Sequence, residues 1–180
     1  MDKKLIDDIM IGSGISKYTI NEDHSINIDG NVALNSEQLI IQYMINGSIK
    51  LNIINGDFSC MLKGDLSNAS LPKIVYGDFD ISFSDFKTLE RCPEYVGGDY
   101  NCSYNELTTL KGCIKEVNGD FNCSMNELLT LEHAPYNVSG DVDISHNLLT
   151  NLKYTPIAES YFVIGNDFDD DITDDNIHQV

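Results

Sequence analysis

The sequence predicts a mostly β solenoid, in which short parallel strands of successive coils stack and irregular or 3₁₀ segments return the chain to the next coil. Two observations predict this fold. A Gly-Asp pair recurs five times at a step of 21 residues, first at Gly56-Asp57 and last at Gly140-Asp141. Around each pair, apolar residues alternate with others, as in a strand that buries one face. One such unit cannot bury its apolar face alone, so successive units must stack.

Three apolar columns run through the five repeats and are expected to point inward. The columns are Ile54, Val75, Val96, Val117 and Val138; Phe58, Phe79, Tyr100, Phe121 and Val142; and Cys60, Ile81, Cys102, Cys123 and Ile144. Spaced leucines follow the strand in the later repeats, and a proline follows in four of the five, with Ile114 in its place once, which favours turns or 3₁₀ segments over a long helix. Asn105, Asn126 and Asn147 are expected to point inward and to pair with backbone groups that the turn leaves unsatisfied.

The chain is expected to have three parts. Residues 1–53 form an N-terminal cap with degenerate short coils, 54–157 form the five repeats, and 158–180 form a capping strand and an acidic tail. Lys3 to Ile11 has apolar residues at helical spacing and predicts a short capping helix. Residues 28–34 and 45–51 both fit the strand template, whereas the first repeat departs from the pattern at Lys63.

At the C-terminal end, residues 161–164 predict a last strand with Phe162 and Ile164 facing inward. The aspartates between residues 167 and 175 resemble a calcium loop. However, Ile172 and His178 stand where such a loop requires glycine and glutamate. The pattern therefore favours a solvated acidic tail.

The net charge of -18, with a single arginine, argues against direct nucleic-acid binding, because phosphate recognition uses lysine and arginine. It makes a protein with a basic surface the natural partner. No apolar run approaches the roughly 20 residues that span a bilayer, and the N-terminus carries acidic residues where a signal peptide needs an apolar stretch. A cytoplasmic protein without membrane contact is expected.

The five cysteines form no CxxC pair, and three of them occupy an inward column, which indicates small buried hydrophobic residues. The four histidines fall in unrelated contexts, and no serine or cysteine lies in a nucleophile motif. We therefore expect no enzyme, no catalytic residue, no metal site and no cofactor.

The unit Tyr100-x-Cys102-x-x-Asn105-x-Leu107 resembles the leucine-rich repeat. The fuller pattern G-D-F-x-C-S-x-N-x-L-T with a following proline resembles a subtype found mainly in tailed bacteriophages and bacteria, and the leader from Lys17 to Val32 looks like the segment that precedes the repeats there. This resemblance implies a curved solenoid whose concave sheet binds other proteins. It implies no particular target.

Residues between the inward columns are expected on the outer face of the sheet, where they form three columns. The aspartate column is Asp57, Asp78, Asp99, Asp120 and Asp141; the strand column is Ser59, Asp80, Asn101, Asn122 and Asp143; the variable column is Leu62, Phe83, Tyr104, Met125 and His146. Stacked carboxylates about 5 Å apart repel by roughly 0.8 kcal/mol per pair in water. Either each aspartate accepts backbone N–H groups in the Gly-Asp bend, or the column serves binding, and the two interpretations are compatible.

The variable column changes from coil to coil while its neighbours hardly change, which indicates recognition or, alternatively, partial burial at the strand edge. The leading hypothesis is a non-enzymatic, phage-encoded protein that binds and inhibits or redirects a host or defence-system protein in the host cytoplasm. Aromatic and methionine anchors would give affinity and carboxylates would steer encounter. The alternatives are a nucleic-acid mimic that occupies a DNA- or RNA-binding enzyme, and a structural repeat protein that self-assembles, as a homodimer for example.

Overall fold

A computed structural model describes residues 2–35 and 37–168, which form a β-solenoid with short helices at its N-terminal end. The helices are α1 (Lys3–Gly12) and α2 (Leu39–Ile45). The strands are β1 (Tyr18–Ile20), β2 (Ser25–Ile28), β3 (Val32–Leu34), β4 (Lys50–Ile54), β5 (Phe58–Cys60), β6 (Ile74–Val75), β7 (Phe79–Asp80), β8 (Tyr95–Val96), β9 (Tyr100–Asn101), β10 (Glu116–Val117), β11 (Phe121–Asn122), β12 (Asn137–Val138), β13 (Val142–Asp143) and β14 (Tyr161–Phe162). The stacked-strand solenoid and its small N-terminal helix confirm the predicted fold class.

Each regular coil contributes two short strands, one on each side of the Gly-Asp pair. The first strands form a sheet in the order β1-β2-β4-β6-β8 and a separate pair β10-β12, and the second strands form a seven-stranded sheet in the order β3-β5-β7-β9-β11-β13-β14. The prediction of one continuous strand through Gly-Asp was wrong. At Asp99 the backbone N–H donates to the Asp78 carboxylate of the preceding coil (2.9 Å), so a side chain takes the place of a strand carbonyl.

The glycine of each pair is required by the close approach of the preceding coil. A Cβ atom on Gly119 would lie 2.0 Å from Oδ1 of Asp99, far inside van der Waals contact. Gly77 and Gly140 meet the same obstacle from Asp57 and Asp120. The recurrence of glycine at this step is therefore a packing requirement of the stacked coils.

The core between the two sheets contains a continuous stack of aromatic rings. Phe58, Phe79, Tyr100 and Phe121 are each 0% exposed, and successive ring centroids lie 5.8, 5.1 and 5.9 Å apart. Each such side chain contributes about 1.5–3 kcal/mol by leaving water. This column fixes the register between neighbouring coils, in which Phe79 pairs with Tyr100 and Tyr100 with Phe121.

A second internal column is built from asparagine side chains, as predicted. Asn126 Nδ2 donates to the carbonyls of Cys102 (3.1 Å), Cys123 (3.0 Å) and Ser124 (3.1 Å), and its Oδ1 accepts the Leu107 N–H (3.0 Å). Asn105 and Asn147 make the same bonds one coil earlier and later. Each amide thus ties a turn to the preceding coil and satisfies buried backbone groups.

At the N-terminal end the predicted helix is confirmed, because α1 begins after Asp2, whose carboxylate accepts the Lys4 N–H (3.3 Å). Residues 28–34 pair in register with 54–60, but as the end of β2 and all of β3 rather than as one strand. The strand expected over 45–51 was wrong, because α2 ends at Ile45 and β4 begins only at Lys50. Gly47, at φ 70°, reverses the chain between them.

The last strand exists, but the faces predicted for it were wrong. Tyr161 pairs with Val142, so the last step is two residues shorter than the regular one. As a result Val163 is buried, whereas Phe162 and Ile164 are 49% and 60% exposed. A shift of one residue in register moves every side chain to the other face. The acidic tail after Phe168, and with it the calcium-loop comparison, lies outside the described residues.

Candidate functional site

The aspartate column forms a ladder in which each carboxylate accepts the backbone N–H of the aspartate in the next coil. The N···Oδ1 distances are 3.0 Å from Asp78 to Asp57, 2.9 Å from Asp99 to Asp78, 2.8 Å from Asp120 to Asp99 and 2.8 Å from Asp141 to Asp120. The backbone-acceptor interpretation of this column therefore describes a real feature of the fold. The bond joins successive coils rather than closing a bend within one coil.

Neutral side chains continue the ladder at both of its ends. Asn31 Oδ1 accepts the Asp57 N–H (3.0 Å), and Asn31 Nδ2 donates to the other Asp57 carboxylate oxygen (2.8 Å). Ser160 Oγ donates to Asp141 (2.6 Å). The ladder needs an acceptor oxygen, and the first rung shows that an amide supplies it. The negative charge of the aspartates is an additional property of this surface.

The strand column also has a role in the fold. Asp80, Asn101, Asn122 and Asp143 each accept the backbone N–H of the serine two residues later, at 2.8, 3.1, 3.0 and 3.0 Å. These bonds form Asx turns that end each strand of the seven-stranded sheet. The side chains are partly exposed on its outer face, so they border the variable column.

Four residues of the variable column adopt a left-handed backbone conformation. Phe83, Tyr104, Met125 and His146, called the left-handed column below, have φ of 55°, 52°, 54° and 52°. Bulky L-residues are strained in this region by about 1–2 kcal/mol, and glycine or asparagine is favoured there. In the last coil the position equivalent to His146, reached by the same shortened step, is Gly165 at φ 72°.

Leu62 does not belong with these four, contrary to the prediction. Its side chain is 0% exposed, and its backbone N–H donates to Ser84 Oγ (2.9 Å). The first coil turns two residues later, at Gly64 (φ 95°), where Asp85 accepts the Gly64 N–H (2.8 Å) and pairs with Lys63 (2.8 Å). This ion pair and the N–H bond hold the pKa of Asp85 below its usual value. The first coil thus turns differently from the later ones, at the place where its sequence departs from the pattern.

The left-handed column forms one surface rather than four separate side chains. The rings of Phe83 and Tyr104 stack with centroids 4.3 Å apart and planes 14° apart, although the two residues are 50% and 46% exposed. Met125 and His146 extend the row and line with them a groove of about 460 Å³. The alternative prediction, partial burial at the strand edge, is therefore correct: about half of the Phe83 and Tyr104 side chains is buried and the other half faces solvent.

Carboxylates stand next to the left-handed column in the sequence, and one of them lines the groove. Asp80 and Asp143, three residues before Phe83 and His146, are partly exposed, and the neutral Asn101 and Asn122 hold the same place in the two coils between them. Two residues after Met125, Glu127 lines the groove, as does Lys63 at its N-terminal end. Lys63 pairs with Asp85 (2.8 Å), and Glu106 pairs with Lys87 (3.5 Å). The groove is thus an apolar strip with more carboxylates than lysines at the adjoining positions.

The cysteines behave as the buried residues that the sequence predicted, with one exception. Cys60, Cys102, Cys113 and Cys123 are buried, and Cys92 is partly exposed. Desolvation raises the pKa of all five thiols, to about 12 at Cys92. Buried thiols of raised pKa are poor nucleophiles. Within residues 2–35 and 37–168, no three His, Cys, Asp or Glu side chains are grouped to hold a metal ion.

No protein-family model, curated protein or solved structure matches the chain. The resemblance to leucine-rich repeats therefore stays a prediction that rests on the residues quoted for it. Among the described residues, no helix is long and apolar enough to cross a membrane.

Sequence reasoning selected the positions of the left-handed column but missed why they are unusual. The missing signal was the alignment with Gly165, which becomes visible only when the last step is shortened by two residues. The same shortened step reveals Asn166 as a further member of the asparagine column, with Nδ2 donating to the Ile144 carbonyl (3.0 Å). The pattern Asn-x-Phe at 166–168 parallels Asn-x-Leu in earlier coils.

Proposed function

We propose that this protein is a non-enzymatic binding protein that captures another protein on the groove along Phe83, Tyr104, Met125 and His146. The observation that carries the proposal is the left-handed backbone at these four residues. Glycine or asparagine would fit the position with less strain, yet the sequence places large side chains there in four successive coils. His24, His133 and Tyr154 outside the groove also have a positive φ, so the support for contact with a partner is that this column repeats the strained conformation with large side chains in four successive coils.

The chemistry of the groove suits protein recognition. Aromatic side chains and methionine are enriched among the residues that dominate binding energy in protein interfaces. The stacked pair Phe83 and Tyr104 already has one face of each ring fixed, so little side-chain freedom remains to be lost on binding.

Charge supports a partner with a basic surface. The formal charge of the chain is -18, and Asp57, Asp78, Asp99 and Asp120 of the ladder are exposed. Like charge would repel nucleic acid and acidic proteins, while a basic partner would be steered toward the groove. The likeness to phage repeat proteins makes a host or defence-system protein of an infected bacterium the class in which we propose to search.

The experiment is affinity capture from bacterial lysate with three forms of the protein. The test variant carries asparagine at all four positions (F83N, Y104N, M125N and H146N), because asparagine tolerates the left-handed backbone. The control variant carries Tyr76→Asn and Tyr95→Asn, which remove an exposed aromatic pair on the other sheet (centroids 5.8 Å apart). We expect a protein that wild type and control retain and the test variant loses. Equal capture by all three forms would contradict the proposal.

A nucleic-acid mimic is the second candidate, and the ladder is the observation that favours it. Each aspartate uses Oδ1 for the next coil, so the ladder bonds leave the second oxygen of Asp78, Asp99 and Asp120 available in a row with one carboxylate per coil. Mimicry would make binding depend on the ladder and weaken it steeply with salt. Binding anchored on the apolar contacts of the left-handed column is expected to keep most of its affinity between about 0.1 and 0.5 M salt. Salt shortens the Debye length to a few ångströms and screens exposed charges, but it does not weaken apolar contacts.

A further inference from the structure

From the spacing of the anchors and the charge around them we infer that the segment bound in the groove is a basic amphipathic α-helix lying along the solenoid axis. This inference rests on the proposed function and specifies the partner. Three features support it: the interval between anchors, the pairing of every strand under the groove, and the position of the carboxylates.

The anchors recur once per coil, and this interval matches a helix better than an extended chain. Paired strands lie about 4.8 Å apart, so four coils place the first and last anchors about 14 Å apart along the axis. Four successive contacts on one face of a helix, at about 5.4 Å per turn, span about 16 Å. Four same-face residues of an extended segment span about 20 Å. The span of the four helix contacts differs from that of the four anchors by about 2 Å, whereas the span of the extended segment exceeds it by about 6 Å, more than the distance between two coils.

A partner cannot bind in this groove by adding a strand to the sheet. The strands under it, β7, β9, β11 and β13, are each paired on both sides within the seven-stranded sheet. Their backbone groups are used by their neighbours, so an added strand would find no ladder to join. A helix satisfies its own backbone hydrogen bonds and requires only side-chain contacts.

The carboxylates specify the charge of the helix. An amphipathic helix presents its apolar strip to the groove and its flanking positions to the residues beside it. Glu127 lines the groove, and Asp80 and Asp143 precede the first and last residues of the left-handed column by three positions. Lysine or arginine beside the apolar strip would therefore meet opposite charge. A helix with acidic flanks would be repelled.

The test uses a synthetic peptide of about 18 residues, or five turns, with leucine at helical intervals and lysine on both flanks. A second peptide of the same composition alternates leucine and lysine, and so has the pattern of a strand. Both carry a fluorescent label, and binding is measured by anisotropy with wild type, the fourfold asparagine variant and the Tyr76→Asn, Tyr95→Asn control.

We expect wild type and control to bind the helical pattern at least about tenfold more tightly than the alternating one, a difference of about 1.4 kcal/mol. The fourfold variant should lose at least about tenfold for the helical peptide. If wild type binds both patterns equally and the fourfold variant loses both, the groove binds but the helix inference is wrong. If wild type binds neither peptide, the helix inference is also wrong, and capture from lysate still tests the groove. If the fourfold variant binds like wild type, the groove itself is wrong.

Discussion

Replacing Tyr104 by glycine and by alanine separates the strain of the backbone from the contacts of the side chain. Both variants remove the ring and its stack with Phe83, so that loss is common to the two. They differ by a single Cβ atom. At the φ of 52° found for Tyr104, this atom is strained, and glycine is the only residue free of the penalty.

The magnitude follows from the backbone conformation. Alanine is ordinarily more stable than glycine by about 0.5–1 kcal/mol, because glycine loses more freedom on folding. At position 104 the order should reverse, with glycine more stable by about 1 kcal/mol. Thr108 is exposed and lies outside the set of positive-φ residues, so it is a matched site where alanine should keep its usual advantage.

The assay is urea unfolding of the four single variants, followed by circular dichroism and compared at equal slope. A difference of about 1 kcal/mol also moves the melting temperature by roughly 2–4 °C for a protein of this size. If alanine equals or exceeds glycine at position 104, the left-handed conformation is refuted, and strain no longer supports a binding role for the column.

Four further predictions concern the ladders and the core. Asn126→Ala should lower the free energy of unfolding by about 2–4 kcal/mol in the same urea assay, because the Leu107 N–H loses its acceptor; an effect under about 1 kcal/mol would contradict the role of the asparagine column. Asp99→Asn should stay within about 1 kcal/mol of wild type, because the amide oxygen still accepts the Asp120 N–H, and a larger loss would mean that the ladder needs its charge. At pH 8, a thiol reagent should leave Cys60, Cys102 and Cys123 unlabelled in the native protein and label all five cysteines in denaturant; rapid native labelling of Cys102 would contradict its burial. The pKa of Asp85 is lowered in the folded state, so its stabilising contribution is present above the unfolded pKa and is lost as the pH falls through the folded one. Asp85→Asn should therefore flatten the loss of stability below the ordinary aspartate pKa of about 3.9, and an unchanged acid titration would exclude the Lys63 pair as its source.

Much of the fold could be predicted because stacking repeats one set of contacts in every coil. The inward columns, the glycine and the asparagine are each fixed by an atom of the neighbouring coil, as at Gly119 against Asp99. Such requirements leave the same residue at the same step, and the step is visible in the sequence. The α1 helix was predicted from its apolar spacing alone, and the structure adds the Asp2 cap.

The parts that could not be predicted depend on geometry that the repeat does not carry. The shortened last step places Phe162 and Ile164 on the outside, because Tyr161 rather than Phe162 pairs with Val142. In the first coil, Gly64 and Asp85 replaced the usual turn and buried Leu62. Helix α2, which buries Ile40, Ile41 and Met44, was not predicted, and its last residue Ile45 was assigned to a strand.

For the candidate site, the sequence indicated which positions vary from coil to coil, but not that their backbone is strained. The residue types of Phe83 and Met125 do not by themselves reveal a positive φ. Met125 lies between the Asx turn of Asn122 and the inward amide of Asn126, whereas Phe83 lies between the Asx turn of Asp80 and Ser84, whose Oγ accepts the Leu62 N–H. The structure adds the left-handed backbone on which the proposed binding role rests. It also shows that the aspartate column is a ladder of hydrogen bonds between coils.

The central claim is that Phe83, Tyr104, Met125 and His146 are kept for binding against the preference of the fold. The most direct test is the free energy of unfolding of the fourfold asparagine variant, measured in urea beside wild type. Relief of strain at four positions offsets the loss of one aromatic stack, so we predict stability within about 2 kcal/mol of wild type or above it. If the column were part of the core, each large-to-small change would cost about 3 kcal/mol or more, and an unfolded or severely destabilised variant would contradict the claim.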